Sequence, residues 1–302
     1  MKSMAIKFLL KTLLFVLPLL VIFEVLFRLG YSPIITNSTL FDFKMIRLQK
    51  RHIKSLKMLS IGSSVSLYEL SSNIIIQNLH VSYYNFASWG LQISDMRVLL
   101  KSFVKDYRPK YVIIGSSIGD FISPSNDTYL NYVNTNAYVR NNFPEIFYLK
   151  NYNSVHQIIR RKHSAYPVQF DNWGGATLTI QAKDINRDKW NEHNIFPTRY
   201  TPDQYRELDS LGVWLNAQHI KLIFAQAPIK ASYANTPASK QILQDHFDKC
   251  RSVVEKHGGY YFNYYNTSIF TDSLFFDQFH LQAAGGRLFT RQLVSNLKQI
   301  IK

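Results

Sequence analysis

The chain has 302 residues, 46% apolar and 18% charged, which is enough for a substantial α/β core and excludes a disordered chain. Cys250 is its one cysteine, which excludes an internal disulfide or a cysteine-based zinc site and leaves the redox compartment open. The formal charge of +15 is spread along the chain without a zinc-finger, basic-zipper or RNP-type pattern, so nucleic acid is not the expected partner; beyond ordinary solvated charge, anionic lipid headgroups or acidic envelope polymers fit better.

From Phe8 to Leu29 the sequence reads FLLKTLLFVLPLLVIFEVLFRL, charged only at Lys11, Glu24 and Arg28. That length can cross a bilayer. Glu24 and Arg28 stand four apart on one helix face and can pair near the interface, and Lys11 can snorkel. No small-residue cleavage site follows, so residues 8–29 are expected to be a retained single-pass anchor; an amphipathic or buried helix is the alternative. Lys2, Lys7 and Lys11 precede the span, whereas no Lys or Arg lies between Leu29 and Phe43. This asymmetry places residues 1–7 in the cytoplasm and the remainder on the extracytoplasmic, periplasmic side of the inner membrane. The basic run KMIRLQKRHIKSLK (Lys44–Lys57) opposes that orientation, but most of it lies at the edge of the window in which charge decides topology.

Residues 30–54 read as a linker, with Pro33, Asn37 and Ser38. Short apolar runs then recur between helical stretches: Leu56–Ile61, His80–Ala87, Lys110–Ser116, Lys221–Ala227 and Tyr260–Tyr264. Such alternation predicts a parallel sheet of about five strands covered on both faces, a three-layer α/β/α sandwich. Thr201-Pro202-Asp203-Gln204 carries a capping residue, a proline at the first helical position and a Gln two residues later. Tyr205, Leu208, Leu211 and Leu215 give the helix that follows an apolar face, and Phe289, Leu293, Leu297 and Ile300 stripe a final helix over about 283–301. The domain is expected over 55–302 with an insertion at about 122–200, because the third and fourth strands lie too far apart for a simple crossover. Within the insertion, Trp173-Gly174-Gly175 and Trp190 can stack on sugar rings or form a small core of their own.

The first strand runs into LSIGSSVSLYEL (Leu59–Leu70), a strand, a glycine hinge and a helix start crowded with serines. A hydroxyl there can sit over a helix N-terminus that favours negative charge, and the same residues also serve as ordinary caps. Near the C-terminus, Asp277 and His280 stand three apart in FFDQFHLQAAGG. On a turn, that spacing lets a carboxylate reach Nδ1–H of the imidazole and leaves Nε2 free to take a proton; a surface pair or half of a metal site has the same spacing. No other histidine cluster has ligand spacing, so neither a metal nor a cofactor is expected.

Gly62-Ser63-Ser64 after the first strand, Asn85 to Gly90 (NFASWG) after the second, Ser116 to Asp120 (SSIGD) after the third, and Asp277-x-x-His280-Leu281 after the last together resemble the SGNH (GDSL-type) hydrolase family over about 55–302. The resemblance is to its membrane-anchored envelope branch, which includes DltD-like and alginate-acetylation-like proteins. It implies a flavodoxin-like SGNH fold, with Ser64 as nucleophile, His280 as general base and Asp277 as its orienting acid. It also implies an oxyanion hole built from Ser64 and Gly90, with Gly119 standing where the family has an Asn and Asn85 as a substitute donor. The activity it implies is that of a membrane-anchored serine esterase or O-acyltransferase. The substrates would be acyl esters, acetyl above all, of an envelope polysaccharide or lipid-linked glycan, with a membrane-bound O-acyltransferase as a partner that supplies the acyl group. The alternative is a catalytically inactive envelope protein that binds glycan.

Overall fold

The computed structural model describes residues 2–28, 39–122, 169–178, 202–265 and 268–301. The chain divides into two compact units, residues 1–51 with 134–165 and residues 52–133 with 166–302.

In the first unit, α1 (Lys2–Arg28) is one continuous helix whose Met4–Ile22 stretch is long and apolar enough to cross a membrane and is not buried. A signal sequence has the same character. The helix begins ahead of the expected 8–29 span because Lys2 to Lys7 continue its pattern without a breaker. The expected linker at 30–54 contains a second helix, α2 (Thr39–Lys50). Lys44, Met45 and Leu48 are fully buried there.

The second unit follows the order β1 (Met58–Ile61), α3 (Ser64–Glu69), α4 (Ser72–Leu79), β2 (Tyr83–Asn85), α5 (Ile93–Tyr107) and β3 (Tyr111–Ser116). A 3-10 turn at Ile118–Phe121 and the two-residue strands β4 (Gln169–Phe170) and β5 (Ala176–Thr177) come next. Then follow α6 (Pro202–Ala217), β6 (Lys221–Gln226), α7 (Pro237–Lys256), β7 (Tyr260–Asn263), a 3-10 turn at Asp272–Leu274 and α8 (Ala283–Leu297). Five strands form one parallel sheet in the order β2-β1-β3-β6-β7. All five expected strands are present, each trimmed by up to a few residues at its ends.

Successive side chains on a strand point to opposite faces. Accordingly Met58, Ile113, Ile223 and Ala225 pack with α3, α4 and α8, where Phe289 and Leu293 are fully buried. Leu59, Val112, Ile114 and Phe224 lie on the other face, over which α5, α6 and α7 pack against one another. Both faces are therefore covered, and each fully buried core side chain contributes about 1.5–3 kcal/mol. The parallel order reverses direction between β1 and β3, and the loops leaving those two strands part to open a crevice at their C-terminal ends.

Of the expected insertion, only 169–178 lies within the described residues. There β4 and β5 form a small antiparallel pair against the main sheet: Asn85 N–H donates to the Trp173 carbonyl (2.8 Å), and Gly174, at φ +84°, sits where any Cβ would meet the Asn85 carbonyl. The half-buried Trp173 thus belongs to a packed hairpin. Trp190 lies outside the described residues.

Candidate active site

β1 ends at Ile61, and the chain turns through Gly62 into α3. Ser63 is the helix N-cap, its hydroxyl accepting the Val65 N–H, and Ser64 is the first helical residue. Ser66 is a fully buried hub. Its hydroxyl accepts the Gly115 N–H (2.9 Å) and reaches the carbonyls of Gly115 (2.8 Å) and Ile61 (3.1 Å), which ties the turn after β1 to β3. Of the serines in this turn, Ser63 caps the helix, Ser66 holds the turn together, and Ser64 is the one that meets His280.

There the Ser64 hydroxyl lies 2.7 Å from His280 Nε2, and His280 Nδ1 lies 2.8 Å from Asp277 Oδ2. A carboxylate only accepts, so Nδ1 carries the proton and Nε2 receives the serine O–H. The other Asp277 oxygen accepts the backbone N–H groups of Phe279 (2.8 Å) and His280 (2.7 Å). Burial alone would push the Asp277 carboxyl up; the hydrogen bond and charge of His280 and the two N–H bonds outweigh it, holding the group below its ordinary value. Asp277 therefore stays anionic opposite the imidazole.

Neighbours hold the imidazole from two sides. Leu281 N–H donates to Glu69 Oε1 (3.1 Å) at the end of α3, tying the histidine loop to the helix that begins with the serine. Burial pushes the Glu69 carboxyl well above its usual range. The Tyr68 ring meets His280 edge-on at 6.1 Å, and its hydroxyl accepts the Trp89 indole N–H at 2.7 Å. Burial lifts that phenol to about 12 despite the indole, so it remains neutral beside the histidine.

The serine opens onto a cavity of about 270 Å³ bordered by Gly90, Gln92, Gly119, Asp120, Tyr233 and Phe279. Neither the Ser64 N–H, at the first helical position, nor the Gly90 N–H donates to another described residue. Gly90 borders the cavity at φ +70°, a conformation that side chains resist. Gly119 also borders the cavity, but its N–H is directed to Ser117 Oγ (3.2 Å) and its carbonyl accepts the Gln92 side chain (3.3 Å). Asn85 is not available as a donor: it is fully buried, with Nδ2 donating to the Ser66 carbonyl (3.0 Å) and Oδ1 accepting the Ala87 N–H (2.9 Å). Strand alternation turns Asn85 into the core, where its amide satisfies backbone of α3 and of the loop after β2 instead of facing the crevice.

Asp120, next to Gly119, is buried beneath the serine turn and accepts hydrogen bonds from Ser116 Oγ (2.8 Å) and Ser117 N–H (3.3 Å). Burial pushes its carboxyl up to about 6 even though the hydroxyls of Ser63 and Ser116 pull it down. Because the folded chain keeps this proton from the ordinary value of 3.8 up to about 6, it binds more protons than the unfolded chain in that window. Asp120 should therefore lower stability as pH rises through the window, by about 2–3 kcal/mol in total, while Glu69, also raised, adds its own decline above 4.5 in the native protein and in Asp120→Asn alike. Asp120→Asn is expected to remove the Asp120 share of the decline, measured as urea midpoints at pH 4 and pH 7. Asp277, with its lowered value, acts below the window and is common to both proteins.

No family model matches the chain, and no curated protein does. Solved structures similar to it include a putative acylhydrolase from Bacteroides fragilis, 13% identical over 85% of this chain and 95% of that chain, with a TM-score of 0.46. An acetylxylan esterase from Geobacillus stearothermophilus is 12% identical over 81% and 95% (TM-score 0.44). A lipase/acylhydrolase from Enterococcus faecalis is 12% identical over 82% and 97% (TM-score 0.44). At such values the likeness transfers no chemistry, and the distances around Ser64 carry the functional reading.

Gln92, Tyr233, Glu69 and Ser66 have no counterpart in the sequence reading. Tyr233 sits in a loop without a motif, and Glu69 and Ser66 look like ordinary helix residues until their burial is known.

Proposed function

We propose that the chain is a serine ester hydrolase or O-acyltransferase working through an acyl-serine intermediate. The observation that carries this reading is the continuous chain of hydrogen bonds from Ser64 Oγ through His280 to Asp277. Ser64 Oγ attacks the ester carbonyl as its proton passes to Nε2 of His280, and Asp277 stabilises the resulting imidazolium. The carbonyl oxygen, now anionic, turns toward the backbone N–H of Ser64 at the start of α3 and that of Gly90 in the loop after β2. His280 then returns the proton to the departing alkoxide, leaving the acyl group on Ser64. Water, or an acceptor hydroxyl, gives up its proton to His280 as it attacks this acyl-serine, and His280 passes that proton to Ser64 Oγ as the acyl group leaves.

The apolar helix α1 favours a membrane-tethered protein, in the orientation set by Lys2, Lys7 and Lys11, with the catalytic unit on the periplasmic side of the inner membrane. In that setting the substrates are acyl esters, acetyl above all, of an envelope polysaccharide or lipid-linked glycan, and a membrane-bound O-acyltransferase is the partner that delivers the acyl group. The small cavity beside Ser64 suits a short acyl chain.

A fluorophosphonate probe tests the reading: labelling of the native protein that disappears in Ser64→Ala supports it. Folded protein that stays unlabelled would leave a glycan-binding protein without catalysis.

A further inference from the structure

In a parallel sheet every strand starts at the same end, and here that end is cationic. Lys57, Lys110 and Lys221 precede or open the adjacent strands β1, β3 and β6 and are joined in a row, Lys110 N–H donating to the Lys57 carbonyl (2.9 Å) and Lys221 N–H to the Lys110 carbonyl (3.0 Å). Beside this row lies a cavity of about 440 Å³ bordered by Lys101 and Lys105 of α5, its C-cap Arg108, Trp214 of α6 and Gln218 just after α6. The three cations are exposed, Trp214 is half-buried, and Val213 next to it is 51% exposed. One acid of this region, Asp106, is half-buried and already engaged. Ser64, Gly90 and Gly119 follow the C-terminal ends of β1, β2 and β3, at the opposite end of the same sheet.

We propose that this cationic end binds the headgroups of anionic phospholipid. Cations around a half-buried indole and an exposed valine match a bilayer surface, where Lys and Arg meet phosphates while Trp settles at the headgroup level. A groove for a soluble polyanion would not need an exposed valine beside the indole. The sequence points the same way: the chain reaches β1 through residues 52–57 at this same end, and that segment holds Lys54 and Lys57 and no acid. Docking here turns the mouth beside Ser64 away from the lipid, toward polymer in the aqueous space. The inference rests on the membrane-tethered reading of α1.

The test is lysine footprinting by an amine-reactive ester on the full chain in phosphatidylcholine vesicles with and without phosphatidylglycerol. Lys101 and Lys105 are expected to lose reactivity several-fold only with phosphatidylglycerol. They should regain it in about 0.5 M salt, where screening shortens to a few ångströms. Lys240, exposed at the start of α7 and at the other end of the sheet, should not change. Lys105→Glu with Arg108→Glu should abolish protection of Lys101 while leaving fluorophosphonate labelling of Ser64 intact, which shows that the variant is folded. Equal reactivity in both vesicles overturns the proposal, as does equal protection by soluble polygalacturonate. Failure to float with neutral vesicles would instead refute tethering by α1. In that case, flotation that requires phosphatidylglycerol and is lost in the double variant would still uphold the cationic end, and flotation unaffected by the variant would overturn it.

Discussion

Hydrolysis of a small acetyl ester is expected to fall about 10⁶-fold in kcat in Ser64→Ala and about 10⁴-fold in Asp277→Asn, the scale seen when a hydrogen-bonded serine–histidine–acid unit is broken. The two variants fail for different reasons. Ser64→Ala removes the atom that becomes acylated. Asp277→Asn keeps the shape but offers an amide where His280 Nδ1–H now finds a carboxylate at 2.8 Å. An amide nitrogen facing Nδ1 favours the wrong tautomer, so Nε2 carries the proton and no longer accepts from Ser64. Adding the second substitution to the first should cost little more, because both disable one unit. Measured kcat values for the two single variants and the double variant check this; a Ser64→Ala protein with near-native turnover would remove the catalytic reading.

Gly62→Ala should be the most damaging conservative change at the site. A Cβ at this position would lie 2.2 Å from Ser66 Oγ and 2.9 Å from the Gly115 carbonyl, both parts of the hub that ties the β1 turn to β3. The backbone carbonyl cannot swing aside, and moving the Ser66 hydroxyl leaves the buried Gly115 N–H unpaired, itself worth about 1–3 kcal/mol. With overpacking of similar size, a loss of about 3 kcal/mol or more is expected in denaturant melts. Because the same turn aims Ser64 at His280, the surviving folded fraction should also label more slowly with fluorophosphonate. A melt within about 0.5 kcal/mol of the native protein, the range of a neutral surface change, would show the turn to be slack.

The sheet was legible because its strands are short apolar runs cut by turn residues, a pattern that needs no partner to be recognised. Ser64, Asp277 and His280 were legible because each stands in a local motif, a glycine hinge before a helix and an acid three residues ahead of a histidine. Asn85 was misjudged for a physical reason. The direction in which a polar side chain leaves a strand end depends on which face the core occupies, and the 3.0 Å bond to the Ser66 carbonyl exists only once α3 has packed. Glu69 was invisible for a related reason: its carboxylate meets Leu281 from 212 positions away, and nothing in the helix sequence announces that it will be buried.

The serine and the imidazole that activates it are 216 positions apart, and His280 stands just ahead of the terminal helix. A contact of such long sequence separation closes late, after the loops between have already lost their freedom. During synthesis the hydroxyl therefore emerges unarmed and stays so until residue 280 has also left the ribosome. Chain order alone thus keeps Ser64 from its imidazole partner until the segment around residue 280 has been made.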